Sequence, residues 1–506
     1  MKQKVTRGIF ARLMTLALLV IMLFTTAACQ KDEQKTPDDT GTDAVGAETE
    51  PSYDPMLEAI DYEGDEFVIL QRSNYGGTSY EEFDMEEYTD DSINQSVFDR
   101  NAYLEDKYNI DIVVEVESKE SLPTTVYNLV QTDMVNFDLV NLDLAGIINL
   151  ARNGLLIEAS NIPVIDTQQP YWFTDIIDAC TVDNKSFLLT GDANLWVLHS
   201  VGAVMFNKGM VQDTGLESPY DLVTNNQWTY SKLLEMTKAV KNENGDGVWN
   251  ENDRYGVVST YAAVETMFNG MGGLLVTKDD QDVMSVEYLS TRNLDIITKI
   301  VEYWADTESA LLINRWPSYV SPNGASSNMM ADVFNSGNAL FVIEMMYQLP
   351  TLVDSEFGVG IVPAPKYDEI QTDYYSFVHY SHATAVGVPI SWKDDSEHMD
   401  YIGRVLEDMN FKSKETVRET YYEDNLRRRR AKDEESYDML EVIYDSLIVD
   451  IGGVLGGAGF KAAQTVRSLV YNGDTSSIYS GLFSYYEPDK AILQDLVDNY
   501  FKTGSN

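Results

Sequence analysis

Apolar residues fall into runs of five to eight at first, separated by stretches where they recur every three or four positions. Glu66-Phe-Val-Ile-Leu-Gln71 is a short apolar run, and Asn74-Tyr75-Gly76-Gly77 closes it, as a strand followed by a turn. Ser92 then stands as the cap of a helix whose apolar residues Ile93, Val97, Leu104 and Tyr108 share one face. Ile110-Asp-Ile-Val-Val-Glu-Val116 reads as a second strand, about Ser121 to Met134 as a helix, and Phe137-Asp-Leu-Val-Asn-Leu142 as a third strand. A helix over Leu144–Asn153 stops at Gly154. Strand and helix alternating in this way predict an α/β fold with a mostly parallel sheet covered by helices. Ligands of such sheets bind beyond the C-terminal strand ends, which makes Asn74, Tyr75 and Asn141–Asp143 a candidate site.

Further along, Trp196-Val-Leu-His-Ser-Val-Gly-Ala-Val-Met-Phe-Asn207 reads as one long strand. Thr229 or Ser231 caps a helix with core face Leu233, Met236 and Val240. The second half is mostly helical: Met399, Ile402, Leu406 and Met409 recur at steps of three and four, as do Tyr437, Leu440, Tyr444 and Leu447. The run Arg427–Arg430 ends a helix, where cations favour the dipole, just before Asp433-Glu434-Glu435 opens the next. Gly452-Gly453-Val-Leu-Gly456-Gly457-Ala-Gly459 lacks dinucleotide-fingerprint spacing and reads as a loop between helices.

The first residues add a location. Lys2, Lys4, Arg7 and Arg12 precede the apolar run Leu13–Phe24, which is shorter than the ~20 residues a membrane span needs and ends at Thr25-Thr-Ala-Ala-Cys29. That is the shape of a secretory signal, and Thr26-Ala27-Ala28-Cys29 resembles the bacterial lipobox. Lipidation of Cys29 would hold the protein at the cell membrane on its extracellular face, whereas cleavage after Ala28 alone would release it. From about Gln30 to Asp61 the chain has almost no apolar period and reads as a flexible acidic spacer. With 36 Lys+Arg against 82 Asp+Glu, a net charge of −46 repels nucleic acid and anionic membrane faces. It also disfavours anionic ligands unless one site is locally basic. Of the two cysteines, a lipidated Cys29 leaves Cys180 with no disulfide partner, as a small buried residue.

With these pieces the chain resembles the substrate-binding lipoproteins of bacterial ABC importers, the family-1 extracellular solute-binding proteins, over about Asp65 to Phe501. The resemblance is carried by phrases in a fixed order: Phe137-Asp-Leu-Val, Leu150-Ala-Arg-Asn-Gly-Leu-Leu-Ile157, Val204-Met-Phe-Asn-Lys208 and Thr214-Gly-Leu216 come first. Gln227-Trp-Thr-Tyr-Ser-Lys-Leu-Leu234, Phe334-Asn-Ser-Gly-Asn-Ala-Leu340 and Gly358-Val-Gly-Ile-Val-Pro-Ala-Pro365 follow. It implies a two-lobed periplasmic-binding-protein-like fold, with hinge strands and a ligand cleft between discontinuous lobes. The expected division is 1–28 signal peptide, 29–62 linker, 63–195 and 350–385 lobe 1, and 196–349 and 386–506 lobe 2. It also implies a sugar or oligosaccharide as cargo, ABC permease subunits as partners, and a monomer. Aromatic residues make up 11%, with 31 Tyr and 7 Trp, and sugars bind by stacking on such rings.

Two sets of candidate residues follow. Asn242, Asn244, Asp246, Val248 (by its carbonyl), Asn250 and Asp253 fall at positions 1, 3, 5, 7, 9 and 12 of a loop with Gly247 at position 6, the spacing of a structural calcium site. Asn242 in place of Asp, and Asp253 in place of a bidentate Glu, depart from the pattern; a metal-free Asn/Gly turn is the alternative. For the cleft, strand ends and loops nominate Asn74, Tyr75, Asp143, Trp196, Asn269, Trp316 and Glu344. Enzyme signatures are sparse: there is no Gly-x-Ser-x-Gly elbow or phosphate loop, and His379 and His382, three apart in what reads as a strand, point to opposite faces. A secreted glycan-active enzyme using paired carboxylates, and a receptor for a peptide or other solute, stay open as rivals.

Overall fold

The structure, a computed structural model, describes residues 53–73, 82–83, 85, 91–322, 328–352, 356–427 and 434–500. Asp65–Arg72 pairs in parallel with Ile110–Glu117 along its whole length, from Asp65 opposite Ile110 to Arg72 opposite Glu117. Leu139–Asp143 lies parallel on its other side, and Thr384–Gly387 closes that edge antiparallel with Thr384 opposite Asp143. The three parallel strands of this four-stranded sheet are the three apolar runs, and their connections are helices, as parallel strands require. Helix Ser92–Tyr108 is capped by Asp91, not Ser92, through N–H groups of Ile93 and Asn94, and ends at Asn109 in the left-handed region with φ 49°. Helix Leu144–Arg152 begins on the Asp143 carboxylate, which accepts from Gly146 N at 3.0 Å.

A second, five-stranded sheet runs in the order Val359–Val362, Gly202–Asn207, Ala339–Met345, Tyr255–Ser259, Ala310–Leu312. Gly202–Asn207 is antiparallel to both neighbours, while Tyr255–Ser259 is parallel to both of its own. Thr229 caps the helix Tyr230–Val240, which lies so close over this sheet that a Cβ on Gly256 would stand 2.2 Å from Thr237 Cβ.

The two sheets are joined by crossing segments. Val201 forms an antiparallel bridge with Val378, Ser200 O accepts from His379 N at 3.0 Å, and Val201 O accepts from Met346 N at 2.9 Å. Leu447–Ile448 adds a short parallel pair to Ser376–Phe377. The helix Ala462–Asn472 packs on the second-sheet helix Thr291–Ala305. The following helix, Ile478–Asn499, reaches the first lobe through the Arg152–Asp495 ion pair at 2.6 Å, and Tyr500 meets the Phe187 ring at 4.9 Å.

Several expectations need correction. Trp196–Asn207 is not one strand: Leu195–His199 is helical, and the strand starts at Gly202. Every residue from Leu195 to Asn207 is buried, so no exposed position marks a period, and helix and strand look alike in sequence. The strand's first residue, Gly202, runs so close to the helix Ala262–Gly270 that a Cβ there would meet Thr266 Oγ1 at 2.2 Å. The domain division also shifts. Within 350–385, Val359–Val362 belongs to the second sheet, and the return to the first comes with Thr384–Gly387. The helix Ser396–Ser413 packs on Ser92–Tyr108, so it belongs with the first lobe and not the second. The glycine cluster is not a plain loop but the short helices Ile451–Val454 and Leu455–Ala458. Asn74, Tyr75, Cys29, the signal and most of the spacer lie outside the described residues, as do Arg428–Arg430.

Candidate functional site

Where the lobes meet, flat side chains follow one another. Arg72, the last residue of its strand, lays its guanidinium 5.6 Å from the Trp196 ring centre, and its Nη2 donates to His382 O at 2.8 Å. Trp196 stands 6.2 Å from Tyr347, which follows the second-sheet strand Ala339–Met345. Tyr347 stacks on His382 at 5.8 Å and 23°, and His379 stacks on Tyr380 at 5.1 Å and 23°. The two imidazoles meet edge to face with Nδ1 atoms 2.9 Å apart. His379 and His382 thus face each other across a turn, against the expectation of opposite strand faces. First lobe, second lobe and the returning segment each contribute to this row of rings.

Charged groups flank it. Lys119, two residues past its strand, pairs with Asp143 Oδ2 at 2.8 Å and donates to Ser381 O at 3.0 Å. On the second lobe the Thr260 hydroxyl donates to Glu344, Arg467 pairs with Glu265, and Tyr261 stands 6.4 Å from Tyr471. Burial drives the His382 imidazole down to about 3, helped by the charges of Arg72, Lys119 and Arg467, and holds His379 well below its usual value. Both rings are therefore neutral near pH 7, so one Nδ1 donates and the other accepts. Burial pushes the Glu344 carboxyl up to about 7, against the Thr260 and Met345 hydrogen bonds. Behind the row, Glu82 Oε1 accepts from Trp196 N at 2.7 Å and Thr384 Oγ1 at 2.5 Å, and its Oε2 accepts from Asn141 Nδ2 at 2.9 Å.

The structure brings three of the nominated cleft residues to this seam: Asp143, Trp196 and Glu344. Asp143 also lines a cavity of about 230 Å³ with Lys119, Pro123 and Arg152. Asn269 is elsewhere in role: buried in the helix Ala262–Gly270, its Nδ2 donates to Gly273 O at 2.8 Å and ties down the turn. Trp316, 38% exposed, follows the short helix Ile313–Arg315 on the second lobe, outside the row of rings. Arg72, Lys119, Tyr347 and the histidine pair also stand at this seam, and the sequence did not nominate them. Arg72 and Lys119 had a legible signal, being the last residue of the first strand and the second residue past the next. Cys180 is buried, its thiol pushed up to about 12 by burial, which makes it a poor nucleophile.

The glycine-containing loop wraps about Asp253, which is fully buried. Its Oδ1 accepts from Asn244 N at 2.9 Å and its Oδ2 from Asn250 N at 2.6 Å. Asn244 and Asp246 turn their side chains onto N–H groups two residues on, at 3.1 and 2.8 Å, and Asn242 pairs with Arg254 as a bridge. Positions 3, 9 and 12 are thus drawn together, but by hydrogen bonds of the loop itself. Among the described residues no three Asp, Glu, His or Cys side chains converge as a metal set, so a cation here would lean on amide and backbone oxygens.

Comparison with known proteins follows this geometry. No curated protein matches the chain in sequence. Solved structures share the fold at low identity. M. tuberculosis UspC matches at 13% identity and TM-score 0.54, covering 84% of this chain and 100% of that one. The cyclic α-maltosyl-1,6-maltose binding protein of Arthrobacter globiformis matches at 12% and 0.53, covering 86% and 100%. An ABC substrate-binding protein of Listeria monocytogenes in complex with cycloalternan matches at 14% and 0.51, covering 87% and 99%. Among the described residues no helix is long and apolar enough to cross a membrane. The family described as bacterial extracellular solute-binding protein matches residues 86–400, which hold every strand of both sheets except Asp65–Arg72, and the chain belongs to that family.

Proposed function

We propose that the protein is a lipid-anchored extracellular substrate-binding protein of an ABC importer, which captures a sugar or oligosaccharide by closing its lobes. One observation carries this reading: the row Arg72, Trp196, Tyr347, His382, His379 and Tyr380 draws on both lobes and the segment between them. Flat faces take the apolar faces of sugar rings, and contacts from both lobes favour the closed state. The solved structures bound to cycloalternan and named for a maltosyl-maltose support the saccharide class. The signal-like leader and Cys29 support the anchor, which would keep the receptor beside its permease. A test runs one glycan panel for both binding and product release. Saturable binding without turnover, weakened at least tenfold in Tyr347→Ala, is expected. Released products would replace the receptor with a glycan-active enzyme, and binding of peptides alone would replace the cargo. Mass spectrometry of the mature N-terminus should find diacylglycerol on Cys29; an unmodified end refutes the anchor.

Calcium in the loop Asn242–Asp253 is a second proposal. The support is that Asp253 already gathers positions 3 and 9 of the loop, so binding needs little rearrangement. The ion would brace an exposed loop on the second lobe and take no part in ligand chemistry.

A further inference from the structure

Resting on the saccharide reading, we propose that the seam between the lobes takes a carboxylate-bearing saccharide, a uronic-acid oligomer, with its carboxylate received by Arg72 and Trp196. The motive is a set of donors with nothing to donate to. Arg72 is 3% exposed and Trp196 1% exposed. Among the described residues the Nε and Nη1 of Arg72 and the Nε1 of Trp196 are buried without a hydrogen-bond partner. The guanidinium lies only 5.6 Å from the indole centre, so these orphaned donors belong to one place. A buried donor left unpaired costs folding stability, and a buried charge costs more. Such a group in a native fold calls for an explanation, and a ligand that accepts its bonds is one.

Charge points the same way. The Glu82 carboxylate is already occupied by Trp196 N, Thr384 and Asn141, and it feels a second buried guanidinium, Arg100, as well as Arg72. Arg100 spends its donors on Asn101, Ser413 and Glu82 O. Two guanidiniums therefore share one carboxylate, whereas Lys119 and Arg467 each have an acidic partner of their own, Asp143 and Glu265. Around Glu82 alone that leaves one positive charge in excess, held inside a chain whose net charge is −46. A sugar hydroxyl could accept one of these bonds, but it brings a proton of its own and leaves the charge uncompensated. A carboxylate is planar, accepts only, and offers two oxygens to a guanidinium fork. The adjoining rings of Trp196 and Tyr347 supply the face for the pyranose that carries it. Since Trp196 meets Tyr347 of the second lobe, the donors become reachable when the lobes part.

The test is calorimetric titration of the mature protein with trigalacturonate and trimannuronate, their methyl esters, and neutral galacto- and manno-oligosaccharides. At least one acid should bind tenfold or more tighter than its ester. Arg72→Gln should remove that preference, a loss of roughly tenfold to a hundredfold for a charge-assisted pair. It should also melt close to the parent, because the bond from Nη2 to His382 O is lost together with two unpaired buried donors and a charge that Glu82 only partly offsets; a merely structural arginine would lower the melting temperature. Equal binding of acid and ester, or a preference that survives in Arg72→Gln, overturns the proposal. Binding of neutral sugars alone overturns it while leaving the saccharide receptor standing, and binding of no saccharide overturns both. If Arg72→Gln fails to fold, the acid-against-ester comparison on the parent still decides.

Discussion

Replacing Glu82 by Gln tests the hub behind the seam. The side chain is 3% exposed and ties together three chain-distant segments: the strand residue Asn141, the helix start at Trp196 and the strand residue Thr384. Gln keeps one carbonyl oxygen, which can sit at Oε1 and still accept from Trp196 N and Thr384 Oγ1. Its amide then replaces Oε2 and points two donors at the Asn141 Nδ2 donor. Asn141 cannot flip freely, because its Oδ1 accepts from Asn194 Nδ2 at 3.4 Å. One buried donor is therefore orphaned, about 1–3 kcal/mol, and two charge-assisted bonds become neutral ones, about 0.5–1 kcal/mol each. The sum is about 3 kcal/mol, before counting the counter-charge lost to Arg72 and Arg100. Urea unfolding followed by tryptophan fluorescence should show this as an earlier midpoint at unchanged slope. Adding Asn141→Asp turns the facing donor into an acceptor and restores a negative charge, so the double variant should recover about half the loss. A change below about 1 kcal/mol in Glu82→Gln, or a double variant worse than both singles, refutes the hub.

Gly256→Ala would place a Cβ 2.2 Å from Thr237 Cβ and 2.5 Å from its Cα, so the helix Tyr230–Val240 must shift. A loss of about 2–3 kcal/mol is expected, while Gly457→Ala, with nothing within 4 Å, should match the parent in the same melt. Burial raises the Glu407 carboxyl from its usual 4.5 to about 7, although Tyr171, Asp166 N and Trp172 donate to it. The folded state then holds a proton that the unfolded chain has released, so this residue's contribution to stability falls as pH rises from about 4.5 to 7. Glu407→Gln should flatten that part of the stability–pH curve, and an unchanged slope counts against the shift. Chelator-stripped protein titrated with calcium should give measurable heat and a raised melting temperature, both lost in Asp246→Ala; no heat and no shift would remove the calcium proposal.

The first lobe was largely legible before any coordinates. Phe67, Ile69 and Leu70, Leu139, Val140 and Leu142 form buried strands where their apolar runs stand, because the parallel sheet is covered on both faces. Legibility failed where burial became complete, as at Leu195–Asn207, since a segment with no solvent side carries no period. The site was legible in part for a related reason. Strand ends point to a cleft, which is how Asp143, Trp196 and Glu344 came to be nominated, but which side chains meet there depends on contacts between residues far apart in sequence. Arg72 and His382 are 310 positions apart, and nothing local to either announces the other.

The sequence by itself determined the family, the α/β alternation and the spacing of the Asn242–Asp253 loop, because each is written in neighbouring residues. Only the tertiary structure decided that Leu195–His199 is helical and the strand begins at Gly202, that two neutral histidines face one another, and that Arg72 and Trp196 hold donors without acceptors. Burial and pairing are properties of the whole packed chain. A guanidinium that water would satisfy in the unfolded state becomes a demand for a ligand only when the fold excludes water and leaves some of its donors without an acceptor.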